Sequence, residues 1–322
     1  VDGFDFGVGI LHSFIGKTKG EKKTIIRTIG PVWDGNEVWL VTAGGATFAA
    51  FPGTYALMFS YLYSALLLIL FALIVRGVGL EFREKIDSAG WKRGCDIAIF
   101  AGSFLPALLF GVAFGNIFQG IPMDANGYHG TLFKLLNSYG LLTGVLFLLL
   151  FIVHGALWLA VKTNGDLSRR ASSVAGKSWY ALLVVAVLFL IYTAFATNLY
   201  ANYLANPVWF IVPVTAVLAL LGIKLFALKG SYLGSFYSSC LTVLTVTFTG
   251  VIGLYPNLIP SSLDRNYSLT IFNSSSSPYT LKIMTVVALI FVPIVIGYQI
   301  WVYRIFRQKL TADEVLKEGE SY

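Results

Sequence analysis

The sequence predicts an all-α fold, a polytopic bundle of membrane-crossing helices. Three observations carry that prediction. First, 57% of the 322 residues are hydrophobic and only 12% are charged, with a mean hydropathy of +0.75. Soluble domains carry about 25% charged residues, so two soluble domains, which the length would allow, are excluded. Second, apolar runs of the length that crosses a bilayer, about 20 residues, recur along the whole chain. Third, the basic residues fall almost entirely into alternate connections between those runs.

In chain order, the first segment covers roughly 1–16 and reads as the rear of a span whose front lies upstream. The second covers about 36–52 and the third about 54–75, with Pro52-Gly53 as a tight turn between them. The fourth to sixth cover about 96–118, 139–161 and 179–199. The seventh to ninth cover about 208–228, 233–255 and 283–304. The expectation is therefore nine transmembrane helices, the first truncated at its start, in a single transmembrane domain over 1–322. Residues 255–282 form a long polar loop, rich in turn residues from Asn273 to Pro278. A short tail, 311–322, carries Thr311 and Glu314 at capping-box spacing.

Of the 23 Lys and Arg, 20 lie in odd-numbered connections or after the ninth segment; only Lys134, Arg265 and Lys282 lie on the other side. The positive-inside rule then puts the N-terminus outside and the C-terminus in the cytoplasm. The net charge of +7 reads as this loop bias and not as a nucleic-acid surface.

Ionisable groups close to hydrocarbon are costly, so they face the protein interior and carry function. The densest such stretch is Pro31-Val32-Trp33-Asp34-Gly35-Asn36-Glu37-Val38-Trp39-Leu40, at the mouth of the second segment. Asp2 and Asp5, three apart, share one helix face. Arg76 ends the third segment and Glu81 follows it. Together these groups suit a hydrophilic file entering the membrane, the kind of chain from which proton relays are built. The plainer alternative is that Asp34 and Glu37 only cap a helix N-terminus. Trp33 and Trp39 read equally well as interfacial belt residues; Trp179, Trp209 and Trp301, at segment ends, read as belt residues.

Gly44, Gly45 and Ala46, the Gly111–Gly115 pair, and Gly250 with Gly253 read as points of close helix approach. Pro106, Pro213 and Pro293 lie inside apolar segments and should bend them. His154 alone of the three histidines is deep in an apolar run, which favours a hydrogen-bonded packing role over heme ligation. Cys95 and Cys240 form no zinc, disulfide or covalent-heme pattern. No phosphate-binding loop, dinucleotide fingerprint or HExxH motif occurs, so nucleotide binding and metal-assisted hydrolysis have no support.

PVWDGNEVWL followed by AGGATFAAFP, with DGFDFGVG ahead of it, closely resembles subunit II of bd-type quinol oxidases, the CydB type. The run Arg76-Gly77-Val78-Gly79-Leu80-Glu81-Phe82-Arg83 fits the same family, as do Gly102-Ser103-Phe104-Leu105-Pro106, Tyr255-Pro256-Asn257 and Pro278-Tyr279-Thr280. The resemblance covers nearly the whole chain and implies nine helices. It implies a terminal oxidase of the bacterial cell membrane that oxidises quinol and reduces dioxygen to water, with protons taken from the cytoplasm. Two hemes b and one heme d would reside in the partner, subunit I. Subunit II would bind no heme or metal directly, would not catalyse alone, and leaves room for a quinone and for a small third subunit. Carried over by position, Asp34 is the central group of a proton path at the subunit interface, with Asp5, Glu37 and Glu81 in the same path. Trp33, Trp39 and Arg76 would border interface, quinone or oxygen-access surfaces. Some family members have His where this chain has Val32.

Two readings from other classes compete. A proton-coupled secondary transporter also uses buried carboxylates, but it should show paired broken segments, which the sequence lacks. A purely structural assembly subunit would need its carboxylates only to neutralise basic partners.

Overall fold

The computed structural model describes residues 2–317. A short helix, α1 (Gly3–Ile15), is followed by α2 (Lys19–Ile29), α3 (Trp33–Ala50), α4 (Pro52–Tyr61) and α5 (Tyr63–Phe82). Then come α6 (Ala89–Gln119), a two-strand ribbon β1 (Met123–Asp124) and β2 (Gly127–Tyr128), and α7 (Leu132–Leu135). The long helices α8 (Ser138–Lys162) and α9 (Gly165–Ala196) follow, then α10 (Ala201–Ala205), α11 (Ile211–Leu228, led in by a 3-10 turn) and α12 (Tyr232–Leu254). A second antiparallel ribbon, β3 (Asn257–Ile259) with β4 (Leu269–Thr270), precedes α13 (Pro278–Ile305) and α14 (Ala312–Lys317).

Seven helices among the described residues are long and apolar enough to cross a membrane: α5, α6, α8, α9, α11 with its lead-in turn, α12 and α13. They match the third to ninth expected segments. The first two differ for physical reasons. α1 has 13 residues, and those from Phe4 to His12 are buried all round, Asp5 and His12 included. Such a helix belongs to the core, not to the lipid boundary. α3 has the length of a span, but its first turn holds Asp34, Asn36 and Glu37. The turn expected at Pro52-Gly53 is a one-residue break at Phe51, with Pro52 opening α4. The third segment is bent at Leu62, where Leu62 N–H to Met58 O and Leu66 N–H to Leu62 O carry the ladder across.

Packing is tightest where glycines let backbones meet. A Cβ at Gly7 on α1 would fall 1.9 Å from the Phe151 carbonyl oxygen of α8. Gly111 and Gly115 of α6 sit against Thr143, Gly144 and Gly140 of α8. By contrast, a Cβ at Gly44 or Gly45 of α3 would find nothing within 4 Å among the described residues, and α13 has no fully buried residue.

The charge-rich connections gather at one end. There Arg170 pairs with Glu21, Lys22 with Asp96, and Leu310 N–H donates to Lys162 O. The other end holds both ribbons, joined where Ile121 N–H donates to Pro260 O, and Ser276 binds the Ala49 and Ala50 carbonyls. Two features of the basic end escape the segment reading. α2 fills the first connection, started by a capping box of Thr18 and Glu21. α9 begins at Gly165, so Trp179 lies in mid-helix; it is buried and donates to the Leu220 carbonyl at 2.8 Å, which corrects its assignment as a belt residue. Trp209 and Trp301 are exposed, as belt residues are. The tail helix α14 carries the expected capping box, with Glu314 N–H on Thr311 Oγ1 and Thr311 N–H on Glu314 Oε2; residues 318–322 of the expected tail lie outside the described residues.

Candidate functional site

α1 can carry carboxylates through the core because partners meet them from three other helices. Arg76 of α5 is fully buried, and its Nη2 donates to Asp2 Oδ1 at 2.9 Å. Glu37 Oε2 of α3 lies 3.9 Å from the same nitrogen. The guanidinium sits over the Phe6 ring, 4.5 Å from its centroid, and 5.9 Å from the Trp33 ring. Aromatic faces favour such a cation most when water is excluded. Gly102 of α6 makes the room: a Cβ there would lie 2.6 Å from Arg76 Cβ and 2.5 Å from the Ala72 carbonyl oxygen.

The second half of the cluster runs from Asp5 to α13. Asp5 is fully buried, and its Oδ2 accepts from Asn36 Nδ2 at 2.7 Å. Asn36 Oδ1 accepts in turn from Tyr303 Oη at 2.8 Å. Asp5 Oδ1 and Asp2 Oδ2 are buried and meet no donor among the described residues. Buried polar atoms nearly always have a partner. A carboxylate oxygen left over in a buried network therefore suits a group that exchanges a proton with water or with a neighbour.

Of the residues singled out from the sequence, Asp5, Glu37, Arg76 and Trp33 converge here. Asp34 is exposed and makes no hydrogen bond or ion pair shown within the buried cluster, although its charge is near enough to act on Glu37. Glu81 is exposed near the end of α5, and Trp39 is half-buried further along α3. Three members of the cluster are absent from the sequence-based site. Asp2 was signalled by its helical spacing to Asp5. Asn36 was signalled only by its place between Asp34 and Glu37. Tyr303 lies so far along the chain that no local signal points to it.

A second buried polar group sits near the basic end, where Asp96 of α6 accepts from Arg83 Nε at 2.7 Å and from Lys22 Nζ at 2.8 Å, with His12 beside it. Outside the membrane helices, Glu21 is held below the usual carboxylate range. Partial burial works to raise it, but the Arg170 guanidinium and the N–H groups of Lys17 and Thr18 outweigh that.

His154 is the packing residue the sequence suggested. Its Nδ1 lies 2.7 Å from Ser239 Oγ, and its ring is stacked flat on Phe236 with centroids 4.8 Å apart. Among the described residues no group of three or more His, Cys, Asp or Glu is placed to hold a metal ion. An apolar space of about 190 Å³ lies between α6, α8, α9, α11 and α12, lined by Phe114, Phe147, Leu182, Phe189, Tyr203 and Leu220.

Fold and site together define a multi-pass membrane protein with a buried, ion-paired polar cluster at the heart of its helices. The family "Cytochrome bd terminal oxidase subunit II" matches residues 1–306, and the chain belongs to that family. It is 38% identical to "Probable cytochrome oxidase subunit 2" of Haemophilus influenzae over 99% of this chain and 93% of that one. It is 35% identical to "Cytochrome bd-I ubiquinol oxidase subunit 2" of Escherichia coli K12 with the same coverage. It is 38% identical to "Cytochrome bd ubiquinol oxidase subunit 2" of Bacillus subtilis over 98% of this chain and 93% of that one. The structure of bd oxidase from Geobacillus thermodenitrificans has the same fold, with a TM-score of 0.73 at 17% identity, over 95% of this chain and 92% of that chain. The protein is thus a subunit of an oxidoreductase complex of a bacterial membrane.

Proposed function

We propose that this chain supports the heme-bearing subunit I of a quinol:dioxygen oxidoreductase and supplies part of its proton route from the cytoplasm. The observation that carries this reading is the pair of linked networks, Asp2–Arg76–Glu37 and Asp5–Asn36–Tyr303, inside an otherwise apolar bundle. Reduction of dioxygen to water consumes protons, and buried carboxylates with unpartnered oxygens are suited to deliver them. The hemes, two b and one d, belong to the partner in this reading, and quinol oxidation takes place there.

Nine crossings with the N-terminus outside fit the proposal, since α1 then lies in the core of the bundle and α3, little buried within the chain, is covered by the partner. Asp34, exposed on α3, then faces subunit I, where it passes protons between subunits. Glu81 and Glu37 serve the same path. Trp33, Trp39 and Arg76 border it. The apolar space between α6 and α12 has the character that the isoprenoid tail of a quinone requires. The loop 255–282 is then outside and the tail from 311 cytoplasmic.

The test is to purify the chain with its partners and record heme spectra and quinol-driven oxygen uptake. A heme d-bearing partner should co-purify; its absence refutes the reading. In the intact complex, Asp34→Asn should slow oxygen uptake and proton uptake together. If both stay normal, Asp34 carries no protons. The reading as an assembly subunit, in which carboxylates merely neutralise Arg76, then gains.

A further inference from the structure

The proton route proposed above starts at Asp5, deep in the bundle, and needs a mouth at the basic end. His12 is placed to provide it. His12 lies seven residues beyond Asp5 on α1, two turns along the same face and about 10 Å nearer the basic end. It is wholly buried, yet its Nε2 meets no hydrogen-bond partner; the nearest acceptor, Asp96 Oδ1, is 3.6 Å away. An imidazole buried for packing alone would have both nitrogens satisfied or would be replaced by an apolar side chain at no loss.

Asp96 is held at the rim by Arg83 Nε on one oxygen and Lys22 Nζ on the other, and each oxygen keeps a lone pair free to face His12. That ion-paired rim reaches water. The Lys22 side chain is 27% exposed and that of Asp96 10%, against 1% for His12. Exposure therefore falls from Lys22 through Asp96 to His12. Above His12, Gly9 carries no side chain, and Ser103 of α6 occupies the space: a Cβ at Gly9 would lie 2.1 Å from Ser103 Oγ. Ser103 Oγ is buried and also without a partner. One more turn along α1 comes Asp5, whose Oδ1 is the third such atom. Three orphaned polar atoms thus follow one another along the α1–α6 contact, and sites of this polarity are where ordered water is held in protein interiors.

We propose that His12 and Asp96 form the mouth of the proton route, with His12 carrying protons from the ion-paired rim inward toward Ser103 and Asp5. This rests on reading Asp5 and its neighbours as a proton route. The step balances without a co-reactant: the neutral imidazole takes a proton at one nitrogen, gives one up inward, and returns to neutral. The charged groups facing His12 are Asp96 from α6, Arg83 from α5 and Lys22 from α2; Ser13 Oγ lies 3.3 Å from its Nδ1, and Arg170 of α9 binds the Ile15 carbonyl nearby.

The experiment uses the assembled oxidase, with its heme spectrum as the control for folding. His12→Gln keeps the shape but cannot carry a proton. It should lower quinol-driven oxygen uptake about a hundredfold and alter its pH profile. His12→Ala should be slowed likewise, and free imidazole in the medium should restore part of its turnover. Unchanged turnover and pH profile in His12→Gln overturn the proposal. So does a loss that imidazole does not relieve and that leaves the pH profile unmoved, since that is a packing defect. Asp5→Asn separates the two readings. If it slows uptake while His12→Gln does not, only the mouth is wrong; if neither slows it, the route itself is wrong.

Discussion

Arg76→Met is the sharpest perturbation of the central cluster. Methionine preserves much of the length of the side chain but removes the charge that Asp2 meets at 2.9 Å and Glu37 at 3.9 Å. Arg76 and Asp2 are both buried, so water cannot take over the counter-charge. Removing one member of a buried ion pair costs about 3–5 kcal/mol, because the other charge stays behind uncompensated. The contact with the Phe6 ring adds about 1–2 kcal/mol when desolvated. A loss of this size lowers the ratio of folded to unfolded complex at least about a hundredfold. The assay is thermal loss of the heme spectrum of the purified complex, set beside the amount of complex recovered from membranes. Adding Asp2→Asn to Arg76→Met should recover more than half of the loss, since neutralising both partners is far cheaper than neutralising one. An Arg76→Met complex as stable as the parent would refute this account of the cluster. So would a double variant no better than the single one.

Three further outcomes follow from named contacts. Asn36→Leu strands Tyr303 Oη and Asp5 Oδ2 together, at a cost of about 2–4 kcal/mol, read by the same thermal assay; a neutral effect would mean the amide bridges nothing. Gly102→Val drives a methyl-bearing carbon into the Ala72 carbonyl and Arg76, and overpacking of this kind costs about 1–3 kcal/mol; intact assembly would show that α5 and α6 can part. Glu21→Gln tests the Arg170 pairing by pH. The Glu21 carboxyl is depressed in the folded chain, so its stabilisation is present above its unfolded value of about 4.3 and fades as pH falls through the lower folded value. The parent should exceed the variant in thermal stability near neutral pH, and the gap should close in acid. A gap that is independent of pH would rule out the ion pair as its source.

The long helices were legible because lipid leaves few alternatives: a run of about 20 apolar residues must satisfy its own backbone. The helix α2 was not, because its 11 residues open on a charged run that reads as a loop, and only the capping box Thr18–Glu21 announces it. The site was legible in part. Asp5, Glu37, Arg76 and Trp33 are unusual enough in an apolar chain to declare themselves. Asn36 and Tyr303 are ordinary at their positions, and only the fold shows that α3 and α13 bring them to Asp5. The exposure of Asp34 could not be read from the sequence, since helix phase alone does not say which face a second chain will cover. Trp179 misled for a related reason: hydropathy marks where a helix becomes apolar, not where it begins.

The last long helix, α13, is moored at its ends and not along its flank. At one end Ser276 holds the Ala49 and Ala50 carbonyls. At the other, Lys162 Nζ binds the Phe306 and Gln308 carbonyls, and Leu310 pairs with Thr163. Between the moorings it offers mainly Gln299 to Gly35 and Tyr303 to Asn36. A ribosome releases this helix after the other described membrane helices. The polar cluster therefore acquires the Tyr303 hydroxyl only after α1, α3 and α5 are already in place. Until α13 arrives, the Asn36 amide oxygen that holds Asp5 in its network has no hydroxyl to accept from and the Gly35 carbonyl no amide, so the α3 side of the cluster is completed by the described membrane helix that follows it at the greatest distance along the chain.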